Sequence, residues 1–296
     1  MIPGETFDSF AARICLRNEA VSAPAKLRTF AALGGEGRVS PAGLLASVLN
    51  PAWLRMGDLL ENHTMLPLFR PFMDVEGYQR LSALTADGQK SHVMYDTVAR
   101  PARVCPTCHE TELEGIAEAG WHVIHQVRWL WRCQSHKTPL WAVPKGRRQV
   151  ARVHEVATGC TSRADRETLR AIERDTVWLF GARIPPLGRK NWADFHRAAV
   201  AKRFGIKPPY SRAELLKVAR RIGPKARAWL GLTLKSQEVN WVVTAICTAT
   251  GSAEPLINLA MLRVCGIKVA TAVMALQGRP STGGQRQSTM NLEEPM

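Results

Sequence analysis

Two pairs of potential metal ligands define the middle of this chain: Cys105-Pro106-Thr107-Cys108 and, 24 residues further on, Cys133-Gln134-Ser135-His136. Two residues separate the ligands in each pair, so one tight turn can direct both side chains to a single ion. Two such turns complete a tetrahedron. Because four protein ligands leave no position for water, the spacing predicts a structural Zn²⁺ rather than a catalytic one. Three unrelated thiols and an ordinary histidine are the alternative.

The other histidines and cysteines fit this site less well. His109 directly follows Cys108 and would strain a shared geometry. His122 and His125 lie in the segment between the two pairs, residues 109–132, which is called the excursion below. Both are expected to pack or to form hydrogen bonds. The isolated thiols are expected to be small buried apolar side chains. They are Cys15, Cys160, Cys247 and Cys265.

The sequence lacks the motifs of common zinc and nucleotide enzymes. A nucleobase deaminase requires His-x-Glu ahead of Pro-Cys-x-x-Cys, whereas here the proline lies inside the first ligand pair and no His-x-Glu precedes it. The metalloprotease motif His-Glu-x-x-His does not occur, and the glycines in residues 181–188 do not have the spacing of a phosphate-binding loop. These observations favour a protein that is not an enzyme.

Helical patterns flank the ligand pairs on both sides. On the N-terminal side, apolar periodicity and Pro-marked helix starts predict helices over residues 5–17, 42–49, 52–61 and 74–84, with a loop around Pro67–Pro71. Between residues 99 and 143, short strands and turns are expected. On the C-terminal side the helices are predicted over residues 166–179, 191–204, 212–222, 238–250 and 255–265. The third of these begins with a capping box at Ser211 and Glu214, and Gly181 is expected to end the first.

The predicted fold is mainly α, with two helical domains flanking a small zinc-finger module and a helix-turn-helix-like C-terminal part. The predicted domains are residues 1–98, an N-terminal helical domain; 99–144, the zinc-binding module; and 145–277, a basic helical domain. Residues 278–296 are rich in Gly, Ser, Thr, Gln and Pro and are predicted to be a disordered tail.

Composition excludes several classes of protein and indicates the cellular compartment. Apolar residues make up 46% of 296 residues, which excludes a fully disordered chain. No run of 18 apolar residues could span a membrane, and the first residues lack the pattern of a signal peptide. Seven scattered cysteines do not suggest a disulfide framework. A reducing cytoplasm without a membrane partner is therefore expected.

Positive charge is concentrated after the ligand pairs. The whole chain has 40 Lys and Arg against 25 Asp and Glu, and residues 145–230 alone contain 21 basic and 7 acidic residues. An excess confined to one segment favours a surface that binds a polyanion such as nucleic acid. A set of solvated Arg-rich helix faces is the alternative.

The predicted helices over residues 191–204 and 212–222 could form a helix-turn-helix. The second helix would bury Leu215, Leu216, Ala219 and Ile222 and present its basic side chains to the major groove. A solvated amphipathic helix fits this pattern equally well. The candidate nucleic-acid-binding residues are Lys145, Arg147, Arg148, Arg189, Lys190, Arg212, Lys217, Arg220 and Arg221.

Several motifs resemble those of the TniQ/TnsD family, the target-selection proteins of Tn-type transposons. The opening residues 3–13, Pro-Gly-Glu-Thr-Phe-Asp-Ser-Phe-Ala-Ala-Arg, with Asn18 beyond them, are similar to the family's opening. The ligand pairs, His125-Gln126 between them and Pro139-Leu140 after them are similar to its zinc knuckles. Gln134 stands where many relatives place a proline. A looser similarity covers Trp241, Glu254-Pro255-Leu256, Leu259, Leu262 and Gly266.

The resemblance implies a non-enzymatic adaptor in DNA transposition. Such a protein recognises a target, as a DNA site or through an RNA-guided effector complex, and recruits an AAA+ ATPase of the TnsC or TniB type. The resemblance also implies zinc at Cys105, Cys108, Cys133 and His136. A stand-alone zinc-containing transcription regulator that binds a specific DNA sequence is the second hypothesis, and a zinc hydrolase or nuclease is the third.

Overall fold

The structure is a computed structural model, and it describes residues 4–7, 9–10, 55–89, 94, 97–99, 102–116, 120–143, 151–152, 162–232 and 239–278. Within these ranges the chain forms eleven α-helices, two short 3₁₀ turns and one small antiparallel sheet. The mainly α fold expected from the sequence is confirmed. Helices are numbered below in chain order over the described residues.

Among the described residues, three helices precede the ligand pairs: α1 (Met56–His63), α2 (Leu66–Phe69) and α3 (Val75–Ala86). Helix α3 begins where Asp74 accepts a hydrogen bond from the backbone N–H of Gly77, which satisfies one of the free donors of the first turn. The loop expected around Pro67–Pro71 was wrong, because α2 continues into a 3₁₀ turn, Arg70–Phe72. Both prolines occupy the first turn of their element, where no N–H bond is lost.

The central region, residues 102–152, contains one α-helix and three strands among its described residues. Strand β1 (Ala102–Val104) pairs antiparallel with β2 (Trp141–Val143), and β2 pairs with β3 (Ala151–Arg152). The register places Arg103 opposite Ala142. Helix α4 (Pro106–Ile116) starts directly after the first ligand, Cys105. Strands and turns alone had been expected here, and this part of the prediction was wrong because apolar periodicity is weak in α4, whose outer face is solvent-exposed.

Seven helices complete the described chain: α5 (Arg163–Gly181), α6 (Arg189–Phe204), α7 (Arg212–Ala219), α8 (Pro224–Leu230), α9 (Asn240–Ile246), α10 (Pro255–Cys265) and α11 (Val269–Gln277). The capping box of α7 is confirmed, since Ser211 and Glu214 bond each other's backbone N–H. Helix α7 ends earlier than predicted, whereas α5 ends at Gly181, as expected.

One apolar core joins helices from both sides of the central region. It extends from Leu60 in α1 to Leu276 in α11 and includes Val127, Trp129 and Leu130 of the central region. Phe72 packs on the fully buried Trp192 of α6 at 4.9 Å between ring centroids. The division into separate domains stays a prediction, although the core itself is continuous between the helices before and after the central region.

Some predictions fall outside the described residues. These are the helix over 42–49, most of the helix over 5–17, the tail beyond residue 278, and Cys15, Cys160, Lys145, Arg147 and Arg148. Of the remaining isolated thiols, Cys265 is buried as expected, but Cys247 is exposed. Among the described helices none is long and apolar enough to cross a membrane alone. The pair α10 and α11 passes such a test together, with a bend of 100° between them.

Candidate metal centre and nucleic-acid interface

The four predicted ligands meet at one point. The Sγ atoms of Cys105, Cys108 and Cys133 and the Nδ1 atom of His136 all lie within 4.8 Å of one another. Nδ1 of His136 is 3.6 Å from Cys105 Sγ, 3.2 Å from Cys108 Sγ and 3.7 Å from Cys133 Sγ. With Zn–S and Zn–N bonds of about 2.3 and 2.0 Å, a tetrahedral site has ligand-to-ligand distances of about 3.5–3.8 Å. The cluster therefore has the dimensions of a tetrahedral metal site.

Backbone geometry brings each pair of ligands together. The N–H of Cys108 points to Sγ of Cys105 at 3.5 Å, and the N–H of His136 points to Sγ of Cys133 at 3.5 Å. Each turn thus donates a backbone hydrogen bond to its own first ligand, which favours the thiolate. The first turn is the start of α4, and the second is a loop that continues into Lys137 with φ of 59°.

The charges of the three cysteine side chains favour a bound cation. Burial raises the pKa of the Cys105 thiol, but hydrogen bonds from Thr138, Cys108 N–H and other groups outweigh this and lower it to about 7. Burial and the neighbouring thiolates Cys133 and Cys105 raise the pKa of Cys108 strongly. Three crowded thiolates repel one another, and a bound divalent cation removes that repulsion. The residues present fit a metal ion, and a three-sulfur, one-nitrogen donor set suits zinc.

Helix α5 holds the second ligand pair from outside. Nε of Arg132 donates to both carboxylate oxygens of Glu173, at 2.8 and 2.9 Å, and the side-chain amide of Gln134 donates to the same carboxylate. Glu173 is 1% exposed. The residues on either side of the ligand Cys133 are therefore anchored to one buried acid on α5. Gln134, inside the second ligand pair, is thus one of the two residues anchored to Glu173.

Helix α8 also packs against the cluster, through Trp229. Trp229 packs against the small apolar group of Cys105, Cys133 and Leu140. Its Nε1 donates to the backbone carbonyl of Trp129 at 3.1 Å. Trp129 in turn donates to Thr176 of α5 at 2.9 Å. The ligand region is thus fixed to the C-terminal helices by the buried Trp129 and the partly buried Trp229, both of which also form hydrogen bonds.

The N-terminal residues pair with the excursion between the two ligand pairs. The N–H of Val123 donates to the carbonyl of Gly4 at 2.7 Å, and the N–H of Thr6 donates to the carbonyl of Trp121 at 2.5 Å. The buried His63 places Nδ1 2.6 Å from the carbonyl of Glu5. The opening motif and the ligand region, more than a hundred residues apart in sequence, are therefore joined directly.

The two histidines of the excursion have roles apart from the ligand cluster. Nε2 of His122 lies 2.6 Å from Oε1 of Glu112, on α4. His125 is 3% exposed, and burial lowers its pKa to about 3, so the ring is neutral. Gln126 forms hydrogen bonds with both the N–H and the carbonyl of Arg103 in β1, at 2.9 and 2.6 Å. The expectation that these histidines pack or form hydrogen bonds agrees with this arrangement.

The predicted nucleic-acid residues within the described ranges fall into two groups. On and after α7, Arg212, Lys217, Arg220 and Arg221 are all exposed or partly exposed. The last three line a shallow open depression floored by Ala213 and Leu216. At the start of α6, Lys190 is exposed, whereas Nε of Arg189 lies 3.4 Å from a carboxylate oxygen of Asp74. Beneath this face Leu215, Ala219 and Ile222 are buried as predicted, but Val218 takes the buried position expected for Leu216.

Sequence reasoning missed the residues that support the cluster. Glu173, Trp229 and Thr176 lie 40 or more positions beyond Cys133, and no spacing rule connects them to the ligands. A buried acid in the middle of an amphipathic helix is the one available signal, since such a group requires a partner. That signal identifies Glu173 but not the residue it contacts.

Comparison with known proteins relates part of the chain to a family. A protein-family model named TniQ matches residues 1–140, a range that includes the opening motif and all four residues of the cluster. A search of curated proteins finds no match to the chain.

Proposed function

Because residues 1–140 belong to the TniQ family, which associates the chain with DNA transposition, we propose that it is a non-enzymatic adaptor that selects the target of transposition. The observation that carries the proposal is the direct pairing of the opening motif with the ligand region. Gly4 and Thr6 bond to the backbone of Trp121 and Val123. The matched range thus has both of its characteristic segments in one structural unit.

In this proposal the ligand cluster binds one structural Zn²⁺ through Cys105, Cys108, Cys133 and His136. When bound, the ion neutralises the three thiolates and closes the turn formed by each pair. The buried Glu173 and the partly buried Trp229 then connect the ligand region to α5 and α8. In this proposal the ion would fix the shape of the ligand region, and these two residues would fix its position on the helices that follow.

The basic residues that follow the ligand region would contact nucleic acid. Helices α6 and α7 would act as the helix-turn-helix, with Arg212, Lys217, Arg220 and Arg221 on its exposed side. Lys145, Arg147, Arg148, Arg189 and Lys190 would contact phosphates, which position a protein on DNA without reading its sequence. Because Arg189 already pairs with Asp74, its contribution would be the smallest of this group.

The TniQ region would contact the protein partners in the cytoplasm. These are an AAA+ ATPase of the TnsC or TniB type and, where the target is not read directly, an RNA-guided effector complex. The chain supplies a surface of different charge for this purpose, because α4 exposes Glu110, Leu113 and Glu114. Charge complementarity would speed the encounter and help to exclude wrong partners.

Sequencing of insertion sites tests the proposed role. Transposition is run in cells that contain the transposase and the AAA+ ATPase, with and without this chain. Insertions are expected to concentrate at one class of target only when the chain is present. An unchanged distribution of insertions in its absence would refute the proposal. Tight binding to one DNA sequence without any ATPase would favour the alternative, a stand-alone transcription regulator.

A salt titration tests the α7 face on purified protein. Replacing Arg220 and Arg221 with Gln should weaken binding to duplex DNA and reduce the slope of log K against log salt by about 0.9 for each phosphate that is no longer neutralised. Arg80→Gln, at an exposed position in α3, is the matched control. An unaltered slope would assign these arginines to a solvated face.

A further inference from the structure

The outer face of α5 carries a row of arginines at helical spacing. Arg166, Arg170 and Arg174 recur every four residues and all are exposed, whereas the opposite face of the helix buries Leu169, Ile172 and Leu179. Four residues advance a helix by about 6 Å and rotate it by about 40° beyond a full turn. The three side chains therefore form one gently turning row of cations along the helix, separate from the basic face of α7.

Two acids interact electrostatically with this row, Glu167 with Arg170 and Asp175 with Arg174, but each also has another partner. Glu167 is already engaged, since its carboxylate accepts a hydrogen bond from Nε of Arg163 at 2.8 Å. Asp175 is partly buried and accepts a hydrogen bond from the backbone N–H of Val269 at the start of α11. Arg263 of α10 and Lys268, beside α11, act electrostatically on the same acids. The cations on this face therefore outnumber the two acids.

An aromatic side chain continues the row. Trp178 follows Arg174 by four residues, and 37% of its surface is exposed, which is unusual for so large an apolar side chain in a packed helix. Its neighbours on the same helix, Phe180 and Leu179, are turned partly or fully into the core. A cationic track that ends in an exposed indole matches a surface for single-stranded nucleic acid, where cations follow the phosphates and aromatic rings stack on bases.

We propose that the outer face of α5 binds a single strand of nucleic acid, with Arg170 and Arg174 on successive phosphates and the indole of Trp178 stacked on an unpaired base. This inference rests on the proposed function, in which the chain acts on a nucleic-acid target. Duplex DNA offers phosphates but no free base face, so Trp178 would add nothing to duplex binding. An acidic protein segment would use the arginines but would not require an exposed aromatic ring beside them.

Binding of the full chain to a labelled oligo-dT strand and to a blunt duplex of equal length tests the proposal. The double variant Arg170→Gln/Arg174→Gln should bind the single strand at least about tenfold more weakly at low salt. Its salt slope should fall by about 1.4, because each phosphate that an arginine neutralises on a single strand contributes about 0.7. Arg80→Gln is expected to change neither quantity.

The aromatic contact has a different signature. Trp178→Ala should weaken binding to the single strand by about tenfold while leaving the salt slope unchanged, because stacking releases no counterions. Trp178→Phe should keep most of the affinity, and duplex binding should not change. Trp121→Ala, which removes another exposed indole, is the matched control.

Two results would overturn the inference. If the arginine variant binds the single strand with wild-type affinity and slope, the row does not contact nucleic acid, and an acidic protein partner becomes the explanation. If Trp178→Ala weakens duplex and single strand equally or changes neither, no base stacks on the indole. Both measurements use purified chain and oligonucleotides, so they can fail while the insertion-site experiment succeeds, and the reverse also holds.

Discussion

The ligand region and the helical core are stabilised in different ways. Around the metal ligands the buried apolar group is small, consisting of Cys105, Cys133 and Leu140 with a few partly buried neighbours. The helical core instead joins fully buried side chains from many elements, among them Trp192 and Leu259. Since a small group of this kind cannot offset the entropy of ordering its loops, the proposed ion would stabilise the ligand region, whereas burial stabilises the helices.

The boundary between these regions is polar as well as apolar. Glu173 holds Arg132 and Gln134, while Trp229 covers the ligand cluster and bonds to Trp129. Specific hydrogen bonds at a boundary fix one orientation, which apolar contacts alone leave less defined. The comparison assigns two roles: in the proposed zinc-bound form the metal would fix the shape of the ligand region, whereas the buried acid fixes its position on the helices.

Loss of a ligand should give the largest effect and separate the two regions. Cys133→Ser should release the metal and reduce the free energy of unfolding by more than about 4 kcal/mol, because the ligand region loses its principal stabilisation. Metal content by mass spectrometry and amide exchange over residues 102–143 measure this. The control Leu259→Ala should cost about 2–5 kcal/mol and retain the metal. A Cys133→Ser protein that keeps the metal and its thermal melting would contradict the proposed ligand set.

Removal of the anchoring acid should disconnect the regions without emptying the site. Glu173→Ala leaves Arg132 without its buried partner, and we expect a loss of about 3 kcal/mol in the free energy of unfolding. Metal content should remain near one ion per chain, while exchange protection falls on both sides of the boundary. Glu167→Ala, at an exposed acid on the same helix, is the control and should change stability little. Loss of metal in the Glu173 variant would show that the anchor and the ligand cluster cannot be separated.

The helical core should respond to acid through His196. This ring is 0% exposed, with Nε2 2.9 Å from the side-chain oxygen of Asn258, and burial lowers its pKa to about 4. Below pH 6.5 the His196 ring is protonated in the unfolded chain, whereas in the folded chain it stays neutral down to about pH 4. The free energy of unfolding therefore falls as the pH falls. The loss should be about 2 kcal/mol between pH 6.5 and 5.

Denaturant unfolding of the wild type and of His196→Gln at several pH values isolates this contribution. The variant should lack it, and the control His109→Gln, at an exposed position, should keep it. If the wild type and His196→Gln show the same pH dependence, the ring already binds its proton in the folded state.

The smallest expected effect lies on α5, between the two regions. Burial raises the pKa of Asp175 to about 6, against the hydrogen bond from Val269 N–H and the charges of nearby cations. The folded carboxyl therefore holds its proton over a range where the unfolded one has lost it, and stability falls as the pH rises from about 4 to about 6.

Asp175→Asn keeps an acceptor for Val269 and removes the buried charge. After allowance for solvent screening, we expect the variant to gain about 1 kcal/mol at pH 7.5 and nothing near pH 4. Thermal melting at the two pH values measures the difference. An equal gain at both values would assign the effect to packing rather than to charge.

Local patterns predicted those elements whose physics is local. The capping box at Ser211 and Glu214 and the helix Pro255–Cys265 follow from neighbours within a few residues, and both agree with the structure. Helix α4 was missed because its periodicity is weak and its start coincides with a ligand pair. The 3₁₀ turn Arg70–Phe72 was missed because two nearby prolines indicate a loop unless each lies in a first turn.

By itself, the sequence determined which side chains can bind a metal, because ligand spacing in a tight turn is a short-range property of the backbone. It also determined where the positive charge is concentrated and which segments favour helices. Only the tertiary structure decided what surrounds the cluster and that the face of α5 with Trp178 and its arginines is exposed. It joined Gly4 to Val123 and Glu173 to Arg132 across long stretches of chain. Such pairings depend on how the whole core packs, since no local preference specifies a partner forty or more residues away.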